Sequence, residues 1–357
     1  MRAWLHGWLA RSWESPPAPA PRGTGLLDAA EALYRAGLRL RRIRPVSAPM
    51  PVVSIGSLLV GGAGKTPLAA ALARLACEEG LRPALLLRGY DGRARGGVLK
   101  VPPRIGPGEV ALHGDEACQH ARRGDAAVFV SARRIRAAEE AAREGRMIAL
   151  LDDGMQHRAI ARDWEIVSLP AERPFGNGRL LPRGPLREAE TELARADLIV
   201  LSHARAAVPP PETLAVVRRH APRTSILSWK AEISLRALSG EPPASGSTVA
   251  LLSGIGRPET FRIAIAGLGY RVAWIEAYPD HHRFRQQEID DVRRRAGCDG
   301  IDCIITTEKD EMRLLGLDIG QSPGFCSADL RLAWSDPGAE ARLRASLRRL
   351  VADRRGG

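Results

Sequence analysis

Five short stretches hold the residues whose types and spacing suit chemistry on a phosphate. In "VGGAGKTP", residues 60–67, Gly61, Gly62 and Gly64 stand ahead of Lys65 and Thr66. Glycines let successive backbone N–H groups face a polyphosphate, and the start of a following helix adds favourable partial charge. Leu59, Val60, Gly61, Gly62, Ala63, Gly64, Lys65 and Thr66 would form the wall of a nucleotide site. Lys65 would bridge the terminal phosphates and Thr66 would hold magnesium. The first glycine of the G-x-x-x-x-G-K-[ST] pattern is missing, because Leu59 stands there.

The other four stretches supply acids, histidines and arginines. "MIALLDDGMQH" ends an apolar run on Asp152 and Asp153, a costly pair of adjacent carboxylates unless a cation takes up their charge. Such an Asp-Asp-Gly sequence also reads as a plain turn. "LHGDEACQH" places Asp115 and Glu116 before a helix, where Asp115 either caps the helix or acts as base toward an incoming hydroxyl. "YPDHHRF" brings Asp280, His281 and His282, and one of these histidines can orient such a base. "GNGRLLPRGPLRE" carries Asn177, Arg179, Arg183 and Arg187 in a loop punctuated by glycine and proline, a setting for a phosphorylated or polar ligand.

The elements that must position these residues alternate between strand and helix. "PVVSIGS" reads as a buried strand, followed by the glycine loop and a helix from Pro67 to about Glu79. "RPALLLRGY", "AAVFVS", "RMIALLDDG", "WEIVSL" and "ADLIVLSHA" are further apolar strands, with helical stretches such as "RRIRAAEEAAREG" between several of them. This rhythm predicts an α/β fold: a mainly parallel sheet with helices on both faces, whose ligands gather beyond the strands' carboxyl ends. "TSILSWKAEISLRALSGEPPASGS" breaks the rhythm with an alternating, exposed pattern and reads as a connector. A second series follows, "TVALLSGIG", "RPETFRIAIAGLG", "YRVAWIEAYPDHH", "QQEIDDVRRRAG" and "DCIITTEKD", and ends in a basic helix. The boundaries predicted are 1–44 for basic amphipathic N-terminal helices, 45–223 for a P-loop domain, 224–246 for the connector and 247–357 for a smaller α/β domain.

Charge and composition narrow the partners. The net charge is +12 at pH 7, which favours anionic surfaces: phospholipid, nucleic acid or phosphorylated substrates. Only four of the 53 basic residues are lysine, namely Lys65, Lys100, Lys230 and Lys309, so a lysine marks a position that needs a compact ammonium. Two of them fall inside the glycine loop and inside "TTEKD". Five scattered cysteines suit reduced, mostly buried thiols and not a zinc site. No apolar run reaches the ~18 residues of a spanning helix. Trp4, Trp8 and Trp13 lie among Arg2 and Arg11, a pattern that suits either a helix in the membrane interface or one packed on the protein body.

The run "VGGAGKTP", "LLRGY", "GDE", "LLDDGMQH", "NGRLLPRGPLRE", "GIGRPE", "YPDHH" and "TTEKD" resembles, in that order, the tetraacyldisaccharide 4′-kinase family over roughly residues 45 to 312. The resemblance implies transfer of the γ-phosphate of ATP, with Mg2+, to the 4′-hydroxyl of a tetraacylated glucosamine disaccharide 1-phosphate. It implies work at the cytoplasmic face of the bacterial inner membrane, as a peripheral protein with neither nucleic acid nor an obligate protein partner. Lys65 and Thr66 match the family's phosphate and magnesium residues, Asp152 and Asp153 its metal-linked aspartates, Asp115 its catalytic base and Glu116 the neighbouring acid, placed with the metal. His281 matches the histidine paired with the base. Arg88, Tyr90, Gln156, His157, Asn177, Arg179 and Arg187 fall in motifs that would face the acceptor. Ala63, Leu87 and Met155 depart from the family's usual residues. Two other readings compete: a P-loop GTPase-type switch, whose base-reading N-K-x-D motif is absent, and a basic nucleic-acid-binding ATPase.

Overall fold

The computed structural model describes residues 25–40, 43–89, 97–202 and 209–355; the tryptophans of the N-terminal segment and Tyr90 lie outside them. The strands are β1 (Val52–Gly56), β2 (Pro83–Leu87), β3 (Leu99–Lys100), β4 (Ala127–Val130), β5 (Ile148–Asp152), β6 (Trp164–Pro170), β7 (Leu198–Ser202), β8 (Ser225–Ser239), β9 (Thr248–Ser253), β10 (Arg271–Ala277), β11 (Cys303–Thr307) and β12 (Gly324–Trp334). The helices are α1 (Gly25–Arg39), α2 (Lys65–Glu78), α3 (Pro107–His113), α4 (Asp115–Arg123), α5 (Arg134–Arg143), α6 (Pro211–His220), α7 (Pro258–Gly267), α8 (Gln286–Cys298), α9 (Glu308–Leu314) and α10 (Ala339–Arg355). No helix among the described residues is long and apolar enough to cross a membrane.

The chain forms two compact units. The first comprises residues up to Arg88, Asp125–Lys230 and Leu332 onward. Its sheet runs β8-β7-β6-β1-β5-β2-β4, with each strand parallel to its neighbours in this order. β1 is central, with Val53 level with Leu150 of β5 and Ile55 level with Ile166 of β6. All five of its residues are buried, as a strand covered on both faces requires. The helix after it, α2, buries Leu68, Leu72, Leu75 and the alanines between them. Because neighbouring strands are parallel, Gly56, Leu87 and Asp152 end at one edge, and the loops that follow them start there.

The second unit comprises Gly89–Gly124 and Ala231–Arg331. Its sheet runs β10-β9-β11-β12, again parallel, and β8 lies beside β12. The carboxyl ends of β9, β10 and β11 release Gly254, Tyr278–His282 and the start of α9. Phe325, Ile289 and Leu252 fill one core layer of this unit.

Two groupings differ from the division expected from sequence. Residues 89–124 belong with the second unit, because α4 is tied to α9 by ion pairs of Arg122 with Glu311 and Arg123 with Glu308. The C-terminal helix α10 belongs with the first unit. It buries Ala339, Leu343, Leu347 and Val351, one every four residues, and Arg344 and Arg348 pair with Glu79 beside α2. The connector read at 224–246 is one long strand, β8. Its neighbour is β12, whose mixed run "GFCSADLRLAW" gives no clear strand period.

Candidate active site

In the first unit the glycine loop fills the gap between β1 and α2. Gly64 caps α2 in the left-handed region at φ 69°, where a Cβ would also come within 2.6 Å of Trp229 and 2.9 Å of Ser202. Gly61 and Gly62 share the left-handed φ and are exposed, so their backbone is open to a ligand. Leu59 is not left-handed and needs no glycine there. It is buried, bridges to Leu186 and joins the cluster of Phe175, Leu180 and Leu186. Val60 donates its amide to Pro185 O at 2.9 Å, and Arg187 donates its amide to Leu58 O at 2.7 Å. The position where a glycine is usual therefore anchors the loop to the segment 185–187. Ala63 is buried and its carbonyl accepts from Ser168 Oγ, and Met155 is buried against Gly56. Two of the three departures noted from the sequence, Ala63 and Met155, thus serve packing.

Lys65, Asp153, Gln156 and Arg187 meet in one cluster. Lys65 Nζ stands 3.3 Å from Asp153 Oδ1, and Arg187 Nη1 donates to Asp153 Oδ2 at 2.7 Å and to Gln156 Oε1 at 3.2 Å. Gln156 in turn donates Nε2 to Ser57 O at 2.9 Å, which ties the cluster to the start of the loop. Asp153 Oδ1 is buried and, beyond the Lys65 ion pair, has no hydrogen-bond partner among the described residues. Burial works to raise the Asp153 carboxyl, but Lys65 and Arg187 outweigh it and hold it below the usual carboxylate range. Asp153 itself sits at φ 57°, a strained conformation for a non-glycine residue. Asp152 is buried at the end of β5, and Thr66 lies in the first turn of α2. Carboxylates and a hydroxyl are the kind of oxygen ligand a hard divalent cation takes, while no cluster of three His, Cys, Asp or Glu side chains stands ready for a metal among the described residues.

His157 follows Gln156, and burial, with Arg134, Arg162 and Arg88 nearby, pushes its imidazole down to about 4. It is neutral at physiological pH and lies in a cationic neighbourhood. Asn177 and Arg179 are not in the Lys65 cluster. Asn177 closes its own loop, donating to Arg183 O at 3.2 Å and accepting from the Arg179 amide at 3.1 Å. Arg179 is exposed, 3.9 Å from Glu31, and Arg183 pairs with Asp28. Glu31 and Asp28 belong to α1, which the sequence did not connect to this loop.

In the second unit three separate segments converge on Asp115. The carboxylate starts α4: its Oδ1 accepts from the Glu116 amide at 2.8 Å. Oδ2 accepts from Arg313 Nε at 2.9 Å and from Arg313 Nη2, and lies 3.3 Å from His281 Nδ1. Burial alone would raise this acid. The His281 hydrogen bond, Arg313 and Lys309 outweigh it and hold the carboxyl far below its usual range. The bond to Asp115 raises the His281 imidazole against the opposing effects of burial and Lys309. His281, not His282, reaches Asp115. His282 stacks on Tyr278 and pairs with Glu288 at 3.0 Å. The His281 backbone stands at φ 62°, with its amide on Gly254 O and on Asp280 Oδ1.

Arg313 is the residue that sequence reasoning missed. Its side chain is 4% exposed, and besides Asp115 it donates to Gly254 O and Asp310 Oδ1, each at 2.8 Å. Asp310 is wholly buried, accepts from Thr307 Oγ1 and the Gly254 amide, and is raised by that burial. Nothing distinguishes Arg313 among 49 arginines in the sequence. Lys309, one of four lysines, carried a signal. It reaches Glu116 Oε1 at 3.3 Å and Asp280 Oδ1 at 3.4 Å. Asp115, His281 and Arg313 line a cavity of about 160 Å³ whose remaining wall includes Val110, Ala111, Met312 and Leu315.

The family model for LpxK, tetraacyldisaccharide-1-P 4′-kinase, matches residues 24–348. A tetraacyldisaccharide 4′-kinase of Anaeromyxobacter dehalogenans (strain 2CP-C) is 42% identical over 336 residues, 87% of this chain and 86% of the relative. One of Syntrophus aciditrophicus (strain SB) is 35% identical over 355 residues, 90% and 93% of the two chains. Among solved structures, "apo" form LpxK from Aquifex aeolicus, crystallised in complex with ATP, superposes with a TM-score of 0.63 at 24% identity, covering 98% of this chain and 100% of that one, a likeness of fold. With a family model spanning nearly all of its length and relatives of this identity, the chain belongs to the tetraacyldisaccharide-1-P 4′-kinase family.

Proposed function

We propose that the chain transfers the γ-phosphate of ATP to the 4′-hydroxyl of a tetraacylated glucosamine disaccharide 1-phosphate, a step in lipid A biosynthesis. The observation that carries the reading is that a chain of this family has a Lys65–Asp153 pair behind an exposed glycine loop and, in its second unit, a buried Asp115 bonded to His281. Phosphoryl transfer asks for positioning and charge neutralisation more than for covalent chemistry.

The exposed amides of Gly61 and Gly62 and the start of α2 bind the polyphosphate of ATP, and Lys65 leaves Asp153 for the terminal phosphates. Thr66, Asp152 and Asp153 would hold magnesium; Glu116, expected beside the metal from sequence, lies in the second unit, where it pairs with Lys309 at 3.3 Å. Magnesium, when bound, neutralises charge on the phosphate oxygens. Asp115 takes the proton of the acceptor hydroxyl, and His281 orients and stabilises that carboxylate. Arg187, Gln156 and the neutral His157 bind polar groups of the acceptor near the Lys65 cluster, and Arg88, near His157, joins them. Asn177 shapes the loop that presents Arg179.

The chain works at a membrane surface, at the cytoplasmic face of the inner membrane, without a nucleic-acid partner. What supports the membrane surface is α1 and the residue after it: Leu26, Leu33 and Leu40, seven residues apart, are 84%, 75% and 81% exposed, while Tyr34 and Leu38 face the core. Incubating the protein with γ-labelled ATP, Mg2+ and the disaccharide 1-phosphate in detergent tests the function. Label at the 4′ position supports it. ATP hydrolysis without transfer rules it out and favours the switch or nucleic-acid reading.

A further inference from the structure

One ammonium in the second unit touches three groups on two segments. Lys309 Nζ lies 3.3 Å from Glu116 Oε1, 3.4 Å from Asp280 Oδ1 and 3.3 Å from His281 Nε2. An ammonium gathers three N–H donors on one compact atom and has no acceptor, whereas a guanidinium spreads its donors over a plane. In an otherwise arginine-rich chain this is a physical reason for a lysine.

The contact to His281 has a consequence for the ring. Because Lys309 only donates, Nε2 must be the accepting nitrogen. A neutral imidazole carries a single N–H, which then sits on Nδ1, 3.3 Å from Asp115 Oδ2. Arg313 Nη2, 3.5 Å from Nδ1, is also donor-only and opposes an N–H there, but its contact to Asp115 Oδ2 is much the shorter, and the Asp115 oxygen is the nearer neighbour of Nδ1. The opposite tautomer would set an N–H against the Lys309 ammonium and a lone pair against the Asp115 carboxylate. Asp280 Oδ2, at 3.8 Å, is too far to accept from Nε2.

We propose that Lys309 is a positioning residue: by donating to His281 Nε2 it fixes the Nδ1–H tautomer and so keeps the histidine donating to Asp115. The inference deepens the phosphotransfer reading and rests on it for its catalytic meaning. The acceptor proton passes to Asp115 as the new O–P bond forms and the bond to the β-phosphate breaks, its electron pair leaving on ADP. A histidine that donates from Nδ1 holds that carboxylate in place, whereas the other tautomer would repel it.

The test is long-range 1H–15N correlation on the full chain with 15N-labelled histidine, at about pH 9, where histidines are neutral. The His281→Gln spectrum identifies the signals of His281. The expected result is an Nδ1–H signature in the wild type, lost or averaged toward Nε2–H in Lys309→Met and retained in Lys309→Arg. An Nε2–H signature in the wild type, or an unchanged Nδ1–H signature in folded Lys309→Met, would overturn the proposal. The wild-type spectrum decides even if the methionine variant does not fold. In transfer assays Lys309→Met should lower kcat by about 10-fold with KM for ATP unchanged, the scale of loss for outer partners that orient a functional group. Because the tautomer is read without substrate, failure of the kinase reading and failure of this inference give different results.

Discussion

The clusters around Lys65 and around Asp115 both oppose a carboxylate, half-buried in the first and buried in the second, with two basic side chains, yet they are built in different ways. Asp153 is held by Lys65 and Arg187, whose side chains are 11% and 24% exposed, and one of its oxygens makes no hydrogen bond. Asp115 has Arg313, 4% exposed, on Oδ2, and a backbone amide on Oδ1. Arg313 also spans to the buried Asp310 and the Gly254 carbonyl. The first cluster is arranged to exchange partners, as the proposed polyphosphate and cation site requires. The second is arranged to stay as it is, as the proposed base requires.

The largest effect that would sharpen this contrast is at the exchanging cluster. Lys65→Met is expected to lower phosphotransfer by about 10³-fold or more, the scale of a lost transition-state charge contact, with little change in melting temperature. Near-normal turnover would remove the loop from the nucleotide site. Next comes the fixed cluster. Arg313→Met leaves Asp115 and Asp310 buried without their guanidinium, so unfolding free energy should fall by about 3–5 kcal/mol in denaturant titration. Arg187→Met, at a partly exposed pair, should cost about 1 kcal/mol. Equal losses would break the comparison.

Two smaller effects probe the surroundings of the first cluster. Replacing Leu26, Leu33 and Leu40 together with serine should weaken cosedimentation with anionic vesicles by more than about 10-fold, leaving turnover on detergent-dispersed acceptor unchanged. Unchanged cosedimentation would detach α1 from the lipid surface. His157 supplies the smallest effect. Its folded pKa, about 4, lies below the unfolded value, so the unfolded chain binds the proton first as pH falls. Stability should therefore decline from about pH 6.5 down to about pH 4, and His157→Gln should flatten that slope. An identical slope in the variant would put the burial of His157 in doubt.

The two clusters also differ in how far the sequence revealed them. The glycine loop, its strand and helix, and the Asp152–Asp153 pair are contiguous motifs, each in a local setting that spacing can read. The missing first glycine looked like a defect, but Leu59 has an ordinary backbone and a buried side chain pinned to Leu186, which only the tertiary pairing shows. The Asp115 cluster joins residues up to 198 positions apart, so the motifs named its acid and its histidine without stating that they touch. Arg313 had no signal because an arginine in an arginine-rich chain is silent, and Lys309 had one because lysine is rare. The left-handed backbones of Asp153 and His281 were likewise invisible, since neither residue type announces a positive φ. β12 escaped because Cys, Ser and Ala in "GFCSADLRLAW" blur the period of two.

The division of labour between the clusters is tested most directly by measuring two quantities on Asp115→Asn: the dissociation constant for ATP-Mg2+ and the rate of γ-phosphate transfer to the disaccharide 1-phosphate. The account predicts ATP binding within about two-fold of the wild type and transfer lower by about 10²–10⁴-fold, the worth of a general base. Transfer near the wild-type rate, or ATP binding lost together with transfer, would contradict it.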